Sequence, residues 1–212
     1  MNKQKSKFMK KKEKFLILDL TKPRFIPSVP SAHESPAVLV YDFWTEKGER
    51  VEDLKRIKHD TFKILIKKDS INNPQTLKIP KHQITNLLNY FKNRHKKQFN
   101  QFECFDFQLY LELSQTKNIP KYTIKKEKEV NFKPGELLFM GRFIKFLGIT
   151  KTIVDIPHGG ICITNYIDFD KNERIILFLS KLGPKEVIVT TLDELKKIYF
   201  TSKNYAKIIW KN

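Results

Sequence analysis

The chain has 212 residues, and 40% of them are apolar, which is enough to build a hydrophobic core and excludes a disordered polymer. Its formal net charge of +18 comes almost wholly from lysine. This excess is compatible with an acidic protein, a nucleic acid or an anionic membrane as partner. A solvated basic surface is the simpler interpretation, because arginine, the better phosphate ligand, is scarce. Two cysteines exclude a disulfide framework and are too few for a structural zinc site.

The N-terminus resembles a signal peptide only in placing a lysine-rich run before an apolar stretch. Residues 1–14 carry seven lysines and one glutamate, and we expect them to form a flexible basic tail. The apolar stretch that follows is interrupted at Asp19 and is too short for an export signal. No segment reaches the ~20 apolar residues of a transmembrane helix. We therefore predict a cytoplasmic protein, or one exported by a route without a cleavable signal peptide.

Residues 15–76 are predicted to form an N-terminal extension with short strands. Apolar patterning predicts strands over 14–20, 37–44 and 62–68. Between the first two strands, 22–36 holds four prolines and three serines, which favours an extended segment. A short helix could lie between the second and third strands. The loop at 69–76 is the predicted boundary with the rest of the chain.

Residues 77–212 are predicted to form the main domain. Ile84, Leu87, Leu88 and Phe91 recur at helical spacing and predict a helix over 79–97. Strands are predicted over 136–143, within 150–183 as a pair around a turn at 168–172, and over 186–191. A short helix follows from Thr191, which is a good helix cap. A helix followed by several strands predicts the α+β class rather than a doubly wound sheet.

The segment QFECFDFQLYLEL, residues 101–113, gives two conflicting signals. Phe105, Phe107, Leu109 and Leu111 alternate with polar residues, which is typical of a strand. The same segment lacks β-branched residues and is rich in Leu, Gln and Glu, which favours a helix. The choice matters for Cys104, because the first turn of a helix lowers the pKa of a thiol.

Few residues are candidates for chemistry. The chain has no phosphate-binding glycine loop, and His158 with Cys162 supplies only two metal ligands, so we predict neither a cofactor nor a metal. A cysteine and a histidine remain, Cys104 and His158, which could act as nucleophile and general base. Antiparallel pairing of the predicted strands places His158 roughly opposite Ser180 or Lys181, of which Ser180 is the better orienter of an imidazole. We expect Cys162 to be packed in its strand.

Four segments in this order resemble the NlpC/P60-like branch of the papain-like cysteine hydrolases: Cys104 at a helix start, KPGELLFM (133–140), HGGICIT (158–164) and RIILFLSKLG (174–183). The resemblance covers about residues 79–200. It implies a papain-like α+β fold in which a buried nucleophile helix packs on an antiparallel sheet, and it favours the helix for 101–113. It also implies Cys104 as nucleophile, His158 as general base and Ser180 as the third residue.

The expected function is therefore a cysteine-dependent hydrolase or acyltransferase that acts on a peptide, amide or other acyl substrate through a thioester. A bacterial effector or toxin-like enzyme is one form of this expectation. The alternative is a catalytically inactive basic binding module that contacts nucleic acid or an anionic membrane through its lysines. The two differ in whether Cys104 is a reactive thiol or an inert part of the core.

Overall fold

The structure, a computed structural model, describes residues 14–27, 37–54, 62–68, 75–117, 122–126, 132–146, 150–168, 172–182, 186–199 and 205–210. Its strands are β1 (Lys14–Asp19), β2 (Arg24–Pro27), β3 (Ala37–Val40), β4 (Phe43–Thr45), β5 (Phe62–Lys67), β6 (Gln75–Thr76), β7 (Tyr122–Lys126), β8 (Leu137–Phe146), β9 (Thr150–Asp168), β10 (Glu173–Lys181), β11 (Val187–Thr191) and β12 (Tyr205–Trp210). The helices are α1 (Lys81–Asn93), α2 (Lys97–Asn100), α3 (Cys104–Leu113) and α4 (Leu192–Tyr199), with a 3₁₀ turn at Val51–Asp53. The fold is α+β, as predicted.

The largest sheet has six antiparallel strands in the order β11-β10-β9-β8-β12-β7. Its centre is the long strand β9, whose two neighbours are the strands that the sequence places before and after it. β9 and β10 pair antiparallel from Asp168 opposite Glu173, and Asn172, just before β10, takes the left-handed conformation (φ 51°). The predicted strand pair is confirmed, whereas residues 169–171 of the predicted turn lie outside the described residues.

Two smaller sheets come from the N-terminal residues. β4, β1, β5 and β6 form a mixed sheet in this order, in which β1 and β5 run parallel. β2 and β3 form a separate antiparallel ribbon. A backbone bridge between Tyr41 and Val189 connects the end of this ribbon to β11, with N–H···O distances of 2.7 and 3.1 Å. The three strands predicted in this part of the chain are confirmed, and 37–44 divides into β3 and β4.

Two hydrophobic clusters fill the space on either side of the six-stranded sheet. The first joins α1 and α3 to one face of the sheet and also contains β1 and β5, through residues such as Leu16, Ile64, Phe107 and Ile161. The second joins α4 and the β2–β3 ribbon to the opposite face, through Val38, Cys162, Phe178 and Leu195. The N-terminal strands therefore pack in the same two clusters as the main sheet.

The segment that was ambiguous in the sequence is the helix α3, as the resemblance predicted. Glu103 precedes the helix, and Glu103 and Asp106 form a reciprocal capping box that satisfies backbone N–H groups of the first turn. Ser114 ends the helix in the left-handed conformation (φ 60°), and its N–H donates to the Tyr110 carbonyl at 2.9 Å.

Several predictions have limited support in the described residues. The expected basic tail apart from Lys14, residues 28–36 of the proline-rich segment and most of the possible helix after residue 54 lie outside them. The helix predicted over 79–97 is confirmed as α1, which ends at Asn93; the short α2 that follows was not predicted. Among the described residues, no helix is long and apolar enough to cross a membrane.

Candidate active site

Cys104 is the first residue of α3 and lies at the end of the helix where backbone N–H groups have no intrahelical partner. Its side chain is half-buried. Backbone hydrogen bonding from Gly159, Phe105 and Cys104 itself favours the thiolate. Burial outweighs these contacts, and the nearby Glu103 carboxylate adds to it, so the pKa of the Cys104 thiol is raised above its ordinary value. At neutral pH the resting group is the thiol.

The Gly159 amide lies where β9 and β10 separate. The pairing of the two strands runs from Glu173 opposite Asp168 to Ser180 opposite Gly160. Gly159 lies one residue beyond the last pair of this ladder. Its N–H can therefore donate to the Cys104 side chain instead of to β10, which places an amide donor at the sulfur.

The two faces of β9 carry different side chains. A Cβ built on Gly159 would overlap the Gln108 amide, so this face lies against α3. On the other face, a Cβ built on Gly160 would meet Ser180 Oγ at 3.4 Å, and His158 Nε2 contacts that same hydroxyl. Because side chains alternate along a strand, His158 projects to the face opposite α3.

The Cys104–His158 dyad expected from the sequence is therefore not assembled. Its nucleophile and its base lie on opposite faces of the sheet. The sequence could not decide this point, because it fixes the alternation along β9 but not which of the two faces packs against α3.

The predicted pairing of His158 with Ser180 is present. The observed register places Ser180 opposite Gly160, two residues from His158, and the contact is a diagonal one across the hairpin. Ser180 Oγ also donates to the Gly159 carbonyl at 2.8 Å. Since its proton is used there, we assign the imidazole proton to Nε2, which donates to Ser180 Oγ. Both side chains are fully buried, and burial lowers the pKa of His158 to about 3.

Lys181 takes the place beside Cys104 that the sequence assigned to His158. It follows Ser180, so alternation directs it to the α3 face of the sheet. Its Nζ donates to the Phe102 carbonyl at 2.7 Å, two residues before Cys104. Among the described residues, Lys181 is the one fully buried lysine.

The charge environment makes Lys181 a titratable group near physiological pH. Burial lowers the pKa of its ammonium to about 8, while the carboxylates of Glu52 and Glu103 act in the opposite direction. A substantial fraction of the side chain is therefore a neutral amine in mildly alkaline solution, and a neutral amine accepts a proton. The hydrogen bond to the Phe102 carbonyl places this amine beside the start of α3, where Cys104 lies.

The sequence contains a signal for Lys181. A lysine within the apolar run RIILFLSKLG, which forms a central strand, must bury its amine. Next to His158 a second cation is unfavourable, so the predicted pairing favours Ser180 there and gives Lys181 no role of its own. Gln108, an amide in the ambiguous segment 101–113, is the second residue of the site that the sequence did not indicate.

The second cysteine and two further histidines have no assigned role in the site. Cys162 is fully buried in β9, as predicted. His82 and His95 are exposed on and after α1, and His82 Nε2 lies 3.3 Å from Glu112 Oε2. In the part of the chain that the structure describes, no three His, Cys, Asp or Glu side chains cluster as metal ligands.

A pocket of about 320 Å³ borders the 3₁₀ turn and α1. Glu52, which influences Lys181, lines it together with Tyr90 and Arg94. Its charged walls are paired with one another, since Arg94 Nη1 donates to Glu52 Oε2 at 2.7 Å. We therefore regard these charges as structural.

No family model, no curated protein and no solved structure matches this chain.

Proposed function

We propose that the protein is a cysteine-dependent hydrolase or acyltransferase that acts on an amide or ester carbonyl, with Cys104 as nucleophile and Lys181 as general base. The observation that carries the proposal is the arrangement at the start of α3. Cys104 is the first residue of the helix, the Gly159 amide hydrogen-bonds to its side chain, and the buried Lys181 amine is bonded to the Phe102 carbonyl two residues earlier. These are the parts that acyl transfer needs, namely a nucleophile, a proton acceptor and amide donors.

The reaction would begin with a neutral thiol. Lys181 Nζ takes the thiol proton as Sγ bonds to the carbonyl carbon, and the carbonyl π pair moves to oxygen. The N–H groups of Cys104 and Phe105 at the helix start are suited to stabilise that oxyanion. Collapse breaks the bond to the leaving amine or alcohol, which takes the proton from Lys181. Water or another nucleophile then attacks the thioester, gives its proton to Lys181, and releases the acyl group; the sulfur regains a proton from Lys181.

The papain-like, NlpC/P60-like family remains part of this proposal. It is supported by a helix that begins at Cys104 and packs on an antiparallel sheet. The position of His158 on the far face departs from the family arrangement. We therefore propose a divergent member in which a lysine from the neighbouring strand replaces the imidazole.

Acetylation of the folded protein by p-nitrophenyl acetate tests the proposal. Intact-mass spectrometry should show one acetyl group on Cys104, with turnover following as the thioester hydrolyses. Cys104→Ser should remove the adduct, and Lys181→Met should slow its formation by roughly 10²–10⁴, the usual contribution of general base catalysis. Lys97→Met, which removes an exposed amine, is the matched control and should leave the rate unchanged.

The pH profile gives a second readout. The rate should rise with the deprotonation of Lys181, near pH 8, and this step should be missing in Lys181→Met. If Cys104 acquires no acetyl group until the protein is unfolded, the enzyme proposal is wrong.

The second candidate is a binding module without catalysis. Two observations favour it: the raised pKa of Cys104 and the orientation of His158 away from α3. In that case an oligonucleotide or anionic vesicles should bind with an affinity that falls steeply with salt, and Cys104→Ser should leave the affinity unchanged.

A further inference from the structure

Gly159 is held from both faces of the sheet, and we infer that Gln108 and Ser180 are positioning residues that fix its amide against Cys104. The inference rests on the proposed function, since it assigns roles around the same sulfur. Neither residue would touch the substrate.

Gln108 connects α3 to the sheet one helical turn after Cys104. Its Nε2 donates to the Leu138 carbonyl at 2.7 Å and to the Gly160 carbonyl at 2.9 Å. These two residues face one another across β8 and β9. One amide therefore fixes the helix to both strands at the position next to Gly159.

The other end of the Gln108 amide lies over Gly159. A Cβ on Gly159 would overlap Oε1 of Gln108, so the helix and the strand approach closely only because this residue is a glycine. Oε1 is buried and accepts no hydrogen bond within the described part of the chain. A buried acceptor left in this state costs stability, which points to a role other than stabilising the fold.

Ser180 supports Gly159 from the opposite face. Its Oγ donates to the Gly159 carbonyl at 2.8 Å and is itself contacted by His158 Nε2. His158, which the sequence assigned to catalysis, would thus act from the face of the sheet opposite α3. It orients Ser180, which in turn holds the residue whose N–H contacts Cys104.

The consequence is a defined geometry at the sulfur. The separation of Gly159 N–H and Cys104 Sγ depends on how α3 sits on β9, and Gln108 sets that distance. A hydrogen bond to a charged group contributes about 1.5–3 kcal/mol, so its loss should raise the thiol pKa by about 1–2 units.

The test is the pKa of Cys104 itself, measured without substrate. In a Cys162→Ala background, the ¹³Cβ shift of labelled Cys104 is titrated in the parent, Gln108→Met and Ser180→Ala. Methionine keeps the length of the side chain and removes the amide. We expect the pKa to rise by about 1 unit or more in Gln108→Met, and by a smaller amount in Ser180→Ala.

Leu111→Val is the control, because it perturbs the core side of the same helix without touching Gly159. It should leave the Cys104 pKa unchanged at a comparable loss of thermal stability. A folded Gln108→Met with the parental pKa would overturn the inference. If Gln108→Met does not fold, Ser180→Ala decides, and an unchanged pKa there overturns it as well.

This titration separates the inference from the proposed function. A thiol pKa that moves in both variants supports the positioning role even if no acetyl-enzyme forms. Acetylation at the parental rate in Gln108→Met, with the pKa unmoved, would leave the proposed function intact and reject the positioning role.

Discussion

His158 is a fully buried imidazole, and its burial favours the neutral ring in the folded protein. Nε2 contacts Ser180, and the second hydrophobic cluster surrounds the strand that carries it. A proton on this ring would leave a charge in a region of low dielectric, which is why its pKa is lowered from 6.5 to about 3. The unfolded chain binds this proton readily.

Acid stability should therefore depend on His158. Well above pH 6.5 the imidazole is unprotonated in both the folded and the unfolded state, so His158 does not lower the free energy of unfolding. As the pH falls from 6.5 towards 3, the unfolded chain gains the proton first and the free energy of unfolding decreases by about 1.4 kcal/mol per pH unit. His158→Gln should reduce the slope of stability against pH in this interval by about one proton, as measured by urea unfolding between pH 6 and 4.

The control for this measurement is His95→Gln, which makes the same substitution at an exposed histidine and keeps the buried imidazole of His158. An identical slope in His158→Gln and the parent would mean that the imidazole is protonated in the folded protein. It would also contradict its assignment as the Nε2–H neutral form.

At the scale of single residues, the sequence predicted which residues are neighbours but not on which face of the sheet each side chain lies. It predicted that His158 and Ser180 would be neighbours, because a hairpin with a short turn fixes the register within a residue or two. It could not predict that α3 packs on the Gly159 face. That choice depends on the space left by a missing Cβ, which only the packed structure defines.

At the scale of elements, α3 explains why a helix was hard to distinguish from a strand. A helix with one exposed face shows apolar residues at helical spacing, but α3 is covered on several sides. Gln108 is buried although it is polar, and Phe105 is half-buried although it is apolar. The apolar period of two is therefore a coincidence of composition. The capping box of Glu103 and Asp106 was the local signal for a helix start.

The close approach of α3 to β9 can be tested by comparing the stability lost when each of two adjacent glycines, Gly159 and Gly160, is replaced by alanine. Gly159→Ala would place a methyl group against the Gln108 amide, which two hydrogen bonds hold in position, so the helix must shift. We expect a loss of about 2–4 kcal/mol, at the upper end for overpacking. The neighbouring Gly160→Ala meets its nearest atom, the Leu179 carbonyl oxygen, at 3.1 Å and should cost less.

Urea unfolding of the two variants decides this prediction. Equal losses would mean that the Gln108 side chain yields and that the contact does not control the packing of α3. The double variant Gly159→Ala/Gln108→Ala adds a further check, because removing the amide makes room for the methyl group and should recover part of the lost stability.

At the scale of the whole molecule, the N-terminal extension is bound to the main sheet by charges as well as by the shared core. Arg24 of β2 pairs with Asp42 at 2.5 Å and with Glu186, next to β11, at 2.7 Å. Glu52 in the 3₁₀ turn accepts from the Val187 N–H at 3.1 Å and pairs with Arg94 after α1 at 2.7 Å. Because these contacts connect distant parts of the chain, the predicted boundary near residue 76 does not separate two independently stable units.

We therefore expect the extension and the main sheet to unfold together. In Trp210→Phe, Trp44 is the remaining tryptophan and reports on the mixed N-terminal sheet, while the far-ultraviolet circular dichroism of the same sample reports on the helices that pack on the main sheet. The two urea curves should coincide. Leu18→Ala removes a buried side chain of β1 and should lower the free energy of unfolding from both curves by the same amount, about 2–5 kcal/mol. Phe25→Ala removes an exposed side chain and should change neither value appreciably. A Trp44 transition that moves alone in Leu18→Ala would instead identify the extension as a separately folding unit.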